Sequence, residues 1–215
     1  MDITFLGHSS FRIKGKSATV VTDPFDSKSV GFSFPSVDAD IVTISHDHDD
    51  HNKHELVKDV RKVVAGPGEY EIKGISIIGT RTFHDNKKGK DRGVNTIYLM
   101  EIDGIRLVHL GDLGHELEQK IIEDLGDIDV LMVPIGGEYT IDCATAAKVV
   151  QTIEPKITIP MHYQTKGLNQ STFAKLTGVD DFTKELGLPV EKTDKLSVKA
   201  FAQPEEQKVV ILANK

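Results

Sequence analysis

The chain has a single cysteine, Cys143, among 215 residues. No internal disulfide can form, and a reducing, cytoplasmic location is the expectation that follows. Long apolar runs are missing too. No stretch reaches the roughly 20 residues that cross a bilayer as a helix. The start, MDITFLGHSSFRIKGK, carries an acid at position 2 and lacks the apolar run of a secretory signal. Positive charge is scarce: 26 Lys and Arg stand against 33 Asp and Glu, a formal net charge of -7. Duplex nucleic acid is held mainly by basic residues on phosphates, so that class of partner is disfavoured. No low-complexity segment or linker stands out, and residues 1–215 are expected to form one domain. The composition, 39% hydrophobic and 27% charged, is that of an ordinary globular protein.

Apolar patterning gives mixed α and β structure. DITFLG and SFRIKGKSATVVTD read as strands around a Lys-Gly turn. DIVTIS, GISIIGTRTF, DVLMVPIGG and KITIPMH are further strands, and LSVKAF and KVVILA return to strand near the C-terminus. NTIYLMEIDGIRLVHLGD reads as a hairpin turning at Asp103-Gly104. KHELVKDV suggests a short helix. GHELEQKIIEDLG places Leu117, Ile121 and Leu125 at helical spacing before Gly126. DCATAAKVVQTI is a helix capped by Asp142 and closed at Glu154-Pro155, and Ser171 is placed to cap a short one. His46, His84, Asp112 and His162 each fall at or just past a strand end. Open sheets bind ligands there, so four distant segments can meet in one place.

The densest chemistry lies in ISHDHDDHN, residues 44–52, which holds three of the nine histidines. Imidazole and carboxylate together are ligands for divalent metals. On a helix, His46 and His48 would point about 200° apart; in an extended segment, residues two apart share a face. The cluster therefore suits a strand end running into a loop. His46, His48, Asp50 and His51 already exceed the roughly three protein ligands of a catalytic ion. With His84, Asp112 and His162 there are seven donors, which fits two ions better than one. Asp47 and Asp49 read as solvated residues of the turn.

His46-x-His48-x-Asp50-His51 resembles the H-x-H-x-D-H signature of the metallo-β-lactamase superfamily. TDPF at Asp23, RTFHD at His84, HLGDLGH at Asp112 and IPMHY at His162 are similar to its other motifs, in the same order. LGHSSFRI and VVTDP resemble the branch of L-ascorbate-6-phosphate lactonase-like and other zinc-dependent hydrolases. The resemblance runs from Ile3 to Tyr163. It implies an α/β fold, the four-layer αββα sandwich, with two divalent metal ions at one edge: Zn2+, with Mn2+ or Fe2+ as alternatives. His46, His48 and His84 would hold the first ion, and Asp50, His51 and His162 the second. Asp112 would bridge them, and Asp23 would orient the ligand loops from behind. Ser45 stands where many members have Thr. The flavodiiron relatives lack the second and last histidines of the signature, whereas His48 and His51 are present here, which favours hydrolysis over oxygen reduction. The implied activity is attack of a metal-held hydroxide on an ester, lactone or phosphate-ester bond, with Asp50 as the catalytic proton handler.

Other residues carry balanced readings. His8, near a strand end, either faces the site or is a buried, hydrogen-bonded histidine. His115 is a substrate contact or an exposed residue at the start of a helix. His109 belongs to the core or supports a ligand, and His54 is solvated. Cys143 reads as a small core residue rather than a nucleophile. KKGKDRG, with Lys87, Lys88, Lys90 and Arg92, is either a solvated loop or an attractor for an anion. GGEY, Gly136 to Tyr139, lines the pocket or only turns the chain. The expected partner is a small, anionic molecule; no membrane is expected, and a homo-oligomer is left open. A metal-dependent nuclease is the alternative, disfavoured by the acidity and by a length that leaves no room for substrate-gripping arms. A non-catalytic metal-binding module is disfavoured by the full donor set, and a secreted antibiotic-degrading role by the missing signal.

Overall fold

Burial along the strands alternates or runs continuous, and these patterns dictate the layering. In this computed structural model residues 1–199 and 206–213 are described. The strands are β1 (Asp2–Gly7), β2 (Ser10–Lys14), β3 (Thr19–Thr22), β4 (Ile41–Ile44), β5 (Lys62–Ala65), β6 (Gly68–Ile72), β7 (Ile75–Phe83), β8 (Val94–Ile102), β9 (Ile105–His109), β10 (Val130–Pro134), β11 (Ile157–Met161), β12 (Val190–Thr193), β13 (Leu196–Ser197) and β14 (Lys208–Leu212). The helices are α1 (Ser27–Val30), α2 (Gln119–Leu125), α3 (Cys143–Ile153), α4 (Gln170–Phe173) and α5 (Val179–Leu186).

One sheet has the order β13-β1-β2-β3-β4-β5 and the other β12-β14-β11-β10-β9-β8-β7-β6. Successive side chains of a strand leave opposite faces, and the two faces bury against different neighbours. Val20, Ile41, Tyr98, Met100, Val130 and Met132 join a core between the sheets. Their neighbours Ile97, Leu99, Leu131 and Val133 face outward, against Ala146, Val149 and Val150 of α3 and Phe182 and Leu186 of α5. On the other outer face, Leu6, Val21, Val42 and Ile44 meet Val57, Phe34 and Val37. The outcome is two face-to-face sheets with helices outside, the αββα arrangement. The layer over the smaller sheet is thin, made of irregular chain around Phe34, Val37, Val57 and Val60.

The Asp103-Gly104 hairpin forms as expected: φ of 56° and 76° at these residues is the left-handed pair that a two-residue turn requires. Asp142 caps α3, its carboxylate accepting from the Thr145 N–H at 2.8 Å. Four expectations are corrected. KHELVKDV makes only a 3-10 turn, His54–Leu56, because the Lys58 backbone pairs with Val37 and Ala39 instead of continuing a helix. The helix after Asp112 starts at Gln119, beyond His115. Asn169, not Ser171, caps α4, its side chain accepting from the Ser171 N–H. The strand near LSVKAF is the two-residue β13, and Ala200 and Phe201 lie outside the described residues. Among the described residues no helix is long and apolar enough to cross a membrane.

Candidate metal centre

Five strand ends and one turn deliver the donors to a single place. Asp23 follows β3, His46 follows β4, His84 follows β7, Asp112 lies three residues past β9, and His162 follows β11; His8 sits in the turn between β1 and β2. His8, Asp23 and His162 hold left-handed φ of 56°, 39° and 51°. Such backbone is uncommon for residues other than glycine and tends to gather at functional sites. His8 and His162 brace each other, the His162 N–H donating to the His8 carbonyl at 2.9 Å.

Asp112 is the centre of the arrangement. Its Oδ2 lies 3.3 Å from His51 Nε2, 3.3 Å from His84 Nε2, 3.2 Å from His162 Nε2 and 3.9 Å from His46 Nε2. Donor atoms of His46, His48 and His84 fall within 4.8 Å of one another, and so do those of His8, Asp50, His51 and His162. The structure therefore brings all seven residues together, with His8 added to the group of Asp50, His51 and His162, and with His46, His51 and Asp112 forming a third, overlapping cluster. Asp47 and Asp49 point to solvent, toward Asn52 and Lys53.

The donors are orphaned in a way that a cation would remedy. His46 Nε2, His51 Nε2, His162 Nε2 and Asp112 Oδ1 are buried and make no hydrogen bond. Buried polar atoms without partners are costly and rare, and imidazole nitrogens beside carboxylates suit divalent metal. Electrostatics agree. Burial disfavours the charge of Asp112, but His162 and His51 outweigh it and hold the carboxyl well below the usual range. Burial likewise opposes ionisation of Asp50, and His51 and His8 overcome it. Burial, reinforced by neighbouring histidines, holds His46 well below its ordinary value. His84 is lowered mainly by burial, so both imidazoles are neutral and ready to ligate. His51 is the exception: burial lowers it, but Asp112 and Asp50 raise it well above the ordinary value.

Asp23 orients both halves. Its Oδ2 accepts from His51 Nδ1 at 2.8 Å and from the Ser45 hydroxyl at 2.6 Å, and its Oδ1 accepts from the Ser45 N–H. Ser45 Oγ in turn lies 2.9 Å from His46 Nδ1. The network assigns the protons of both imidazoles to Nδ1 and leaves both Nε2 atoms facing Asp112. His8 faces the site, with Nε2 3.0 Å from Asp50 Oδ2. His115 does not: its Nε2 accepts from the Phe83 N–H, and its Nδ1 donates to the Glu116 carbonyl. His109 is buried and binds the Ser9 carbonyl at 2.8 Å. Cys143 is half-buried with its thiol on the Ile135 carbonyl, and burial and Asp181 push it up to about 11.

Sequence reasoning missed two supporting residues. Asn95 is fully buried; its Oδ1 accepts from the Asp112 N–H at 2.9 Å, and its amide donates to the Leu110 carbonyl. The signal was an asparagine at the start of a mostly apolar strand. Gly111 packs so closely on Asn95 and Ser45 that a Cβ would clash, and its φ is 54°. Asp85 is the second: its carboxylate accepts from the backbone N–H groups of Lys87, Gly89, Asp91 and Arg92 at 2.8–3.0 Å. Those bonds overcome its burial and hold it far below the usual carboxylate range. A cavity of about 250 Å³ opens over the centre, lined by His48, Asp50, His84, Asp112 and His162 and rimmed by Arg92, Tyr139, Thr172 and Phe173.

The sequence profile of the beta-lactamase superfamily domain matches residues 2–162. A UPF0173 metal-dependent hydrolase of Thermococcus onnurineus is 30% identical over 206 residues, covering 82% of this chain and 92% of that protein. A crystal structure from Thermotoga maritima, described as a candidate Zn-dependent hydrolase of the metallo-β-lactamase superfamily, is 41% identical. It superposes with a TM-score of 0.82 over 98% of this chain and 97% of its own. Igni18, a metallo hydrolase of Ignicoccus hospitalis, shares the fold at 22% identity, with a TM-score of 0.63 over 86% of this chain and 90% of its own. The profile match takes in every strand end that delivers a donor, and by it, with the Thermococcus and Thermotoga relatives, the chain belongs to the metallo-β-lactamase superfamily.

Proposed function

We propose that the protein is a dinuclear metal-dependent hydrolase, with zinc as the expected ion and Mn2+ or Fe2+ as alternatives. Its substrate is a small anionic molecule carrying an ester, lactone or phosphate-ester bond. The observation that carries this reading is the gathering of the donors around Asp112, with the Nε2 atoms of His46, His51 and His162 and the Asp112 Oδ1 buried and unpartnered. Divalent ions bound there would supply Lewis acidity and a water whose pKa falls to about 7. His46, His48 and His84 would hold one ion, Asp50, His51 and His162 the other, and Asp112 both. The names of the Thermococcus and Thermotoga relatives support hydrolysis and zinc.

The chain's own residues supply orientation. Asp23 fixes the rings of His51 and His46. Asp50, ionised and open to the cavity on one side, is placed to accept a hydrogen bond from the attacking water. His8 Nε2, on the same carboxylate, fixes which oxygen does so. Phe173 and Tyr139 wall the cavity and restrict bulk water. Its volume, about 250 Å³, is near the lower bound for small-molecule sites, roughly 300 Å³, and favours a small substrate over a polymer. Metal analysis of the purified protein, followed by phosphodiester, phosphomonoester, lactone and thioester substrates, tests the reading. Two equivalents of metal and hydrolysis abolished by chelation are expected. Less than one equivalent, or hydrolysis indifferent to chelation, overturns it.

A further inference from the structure

We propose that Arg92 is an anion anchor at the rim of the metal cavity, binding a carboxylate or phosphoryl group of the substrate other than the one attacked. The proposal rests on the preceding reading in taking this cavity as the substrate site. Four bases crowd the loop after His84, and the structure sorts them. Lys87 Nζ is committed to Asp91 at 2.7 Å. Lys88 and Lys90 are exposed and do not line the cavity. Arg92 lines it together with His48, Asp50, His84, Asp112 and His162.

Arg92 is held rather than loose. Its N–H is one of the four that close on the Asp85 carboxylate, next in sequence to His84. Its guanidinium lies 5.4 Å from the centroid of the Tyr139 ring and donates to the Glu138 carbonyl at 3.2 Å. Tyr139 in turn packs on Phe173, and Phe173 on His8 and His162. An aromatic wall thus joins the guanidinium to the metal donors.

The charge of Arg92 is not spent on the protein. Arg12, Arg61 and Arg106 each meet a carboxylate, whereas no carboxylate of the described residues lies within ion-pair distance of Arg92. The nearby Glu138 side chain turns instead toward Lys175, at 3.5 Å. Arg81, which also lacks a carboxylate, sits over Phe83 outside the cavity. A guanidinium presents five N–H donors in a planar fork. One bond, to the Glu138 carbonyl, leaves donors enough for the two-pronged grip that suits carboxylate and phosphate. With divalent ions held by Asp50, Asp112 and the histidines, the floor of the cavity would bind the group under attack, and Arg92 at the rim would hold a second anionic group, so the substrate is oriented across the cavity with its scissile bond toward Asp112.

Inorganic phosphate and acetate are the probes, titrated calorimetrically into zinc-loaded and metal-free protein. Arg92→Gln is expected to weaken phosphate binding at least tenfold in both forms with zinc content unchanged. The triple variant Lys87→Ser, Lys88→Ser, Lys90→Ser should change it less than twofold. Phosphate favoured over acetate identifies a phosphoryl anchor, and the reverse order a carboxylate anchor. In wild-type protein, phosphate should shift the amide resonances of residues 85–93 and 139; shifts confined to the histidine and aspartate donors overturn the proposal without any variant. Hydrolysis separates it from the hydrolase reading. Arg92→Gln should lower kcat/KM at least tenfold for mono-4-nitrophenyl glutarate and less than twofold for 4-nitrophenyl acetate. Equal losses, or a larger loss in the lysine variant, overturn the anchor and leave hydrolysis standing. Arg92-dependent phosphate binding in a zinc-loaded protein that cleaves no ester, lactone or phosphate ester keeps the anchor and sinks the hydrolase.

Discussion

Around Asp50, His51 and His162, the chain surrounds the candidate ion with negative charge and deep burial. Around His46, His48 and His84, it relies on imidazoles alone, one of them exposed. His51 is fully buried, with Asp23, Asp50 and Asp112 all within 3.6 Å of its ring nitrogens. His46 reaches the same Asp23 only through the Ser45 hydroxyl, His84 Nδ1 has no hydrogen bond, and His48, though it turns a ring nitrogen to the group, is exposed. The difference teaches that one buried carboxylate can orient two ligand sets at unequal strength: directly through His51, and through a relay at His46.

The largest expected effect erases the distinction. Asp112→Ala removes the carboxylate whose Oδ2 faces both groups, so neither set of imidazoles keeps an anionic partner in common. Metal content should fall for both equivalents on dialysis, and any identified hydrolysis should be lost with it. Loss of one equivalent alone would show that Asp112 belongs to a single half.

Asp23→Asn should expose the inequality. An amide nitrogen cannot accept from His51 Nδ1 or from the Ser45 hydroxyl. Loss of such a supporting carboxylate typically costs about 10–100-fold in metal affinity. The loss should be near the upper end for the ion held by His51 and near the lower end for the ion held by His46. Competition titrations with a zinc chelator, resolved into two steps, measure it; equal losses would refute the relay.

Acidity offers a third comparison. Proton and metal compete for the same imidazole nitrogens. His46 and His84 are held below the ordinary value of about 6.5, so above neutrality no proton has to leave either. His51 is raised above it by Asp112 and Asp50, so in metal-free protein its proton persists above neutrality and must depart when metal enters. Above neutrality the affinity of the His51 half should therefore still rise with pH, and more steeply than that of the His46 half. Zinc titrations at three pH values, with proton release followed in two buffers of different ionisation enthalpy, test the sign.

Much of this was legible because the donors are carried locally. His46, His48, Asp50 and His51 lie within one strand-end turn, and His84 and His162 follow directly on apolar runs of strand length. What escaped depends on long-range pairing. Asn95 supports Asp112 through the β8–β9 hairpin, which was read from the sequence; what escaped was that its register about Asp103-Gly104 sets position 95 opposite position 112. Arg92 was one of four equivalent bases until Asp85 gathered the loop around its carboxylate and turned one of them to the cavity. The balanced reading of His115 gave no weight to the backbone of Phe83, 32 positions away, which claims its ring. The short helix expected at KHELVKDV failed for the same kind of reason, since Lys58 pairs with the segment before β4.

The smallest expected effect lies inside the same nine residues that hold two donors of each half. Within this turn His46 and His48 each bring a ring nitrogen to the His84 group, while Asp47 and Asp49 turn to Asn52 and Lys53 at the surface. Asp49 pairs with Lys53 at 2.6 Å, its side chain 69% exposed, and Asp47 accepts from Asn52. Exposed pairs of this kind contribute about 0–1 kcal/mol. The backbone role of Asp49, whose carbonyl accepts from the Asp26 N–H, survives any side-chain change. Asp49→Ala and Asp47→Ala should therefore lower stability by no more than about 1 kcal/mol and leave both metal equivalents in place. A lost equivalent in either variant would mean that the turn rearranges on loading and that a solvent-facing carboxylate swings inward to ligate. Such an outcome would assign the charge around the ions differently between the two halves.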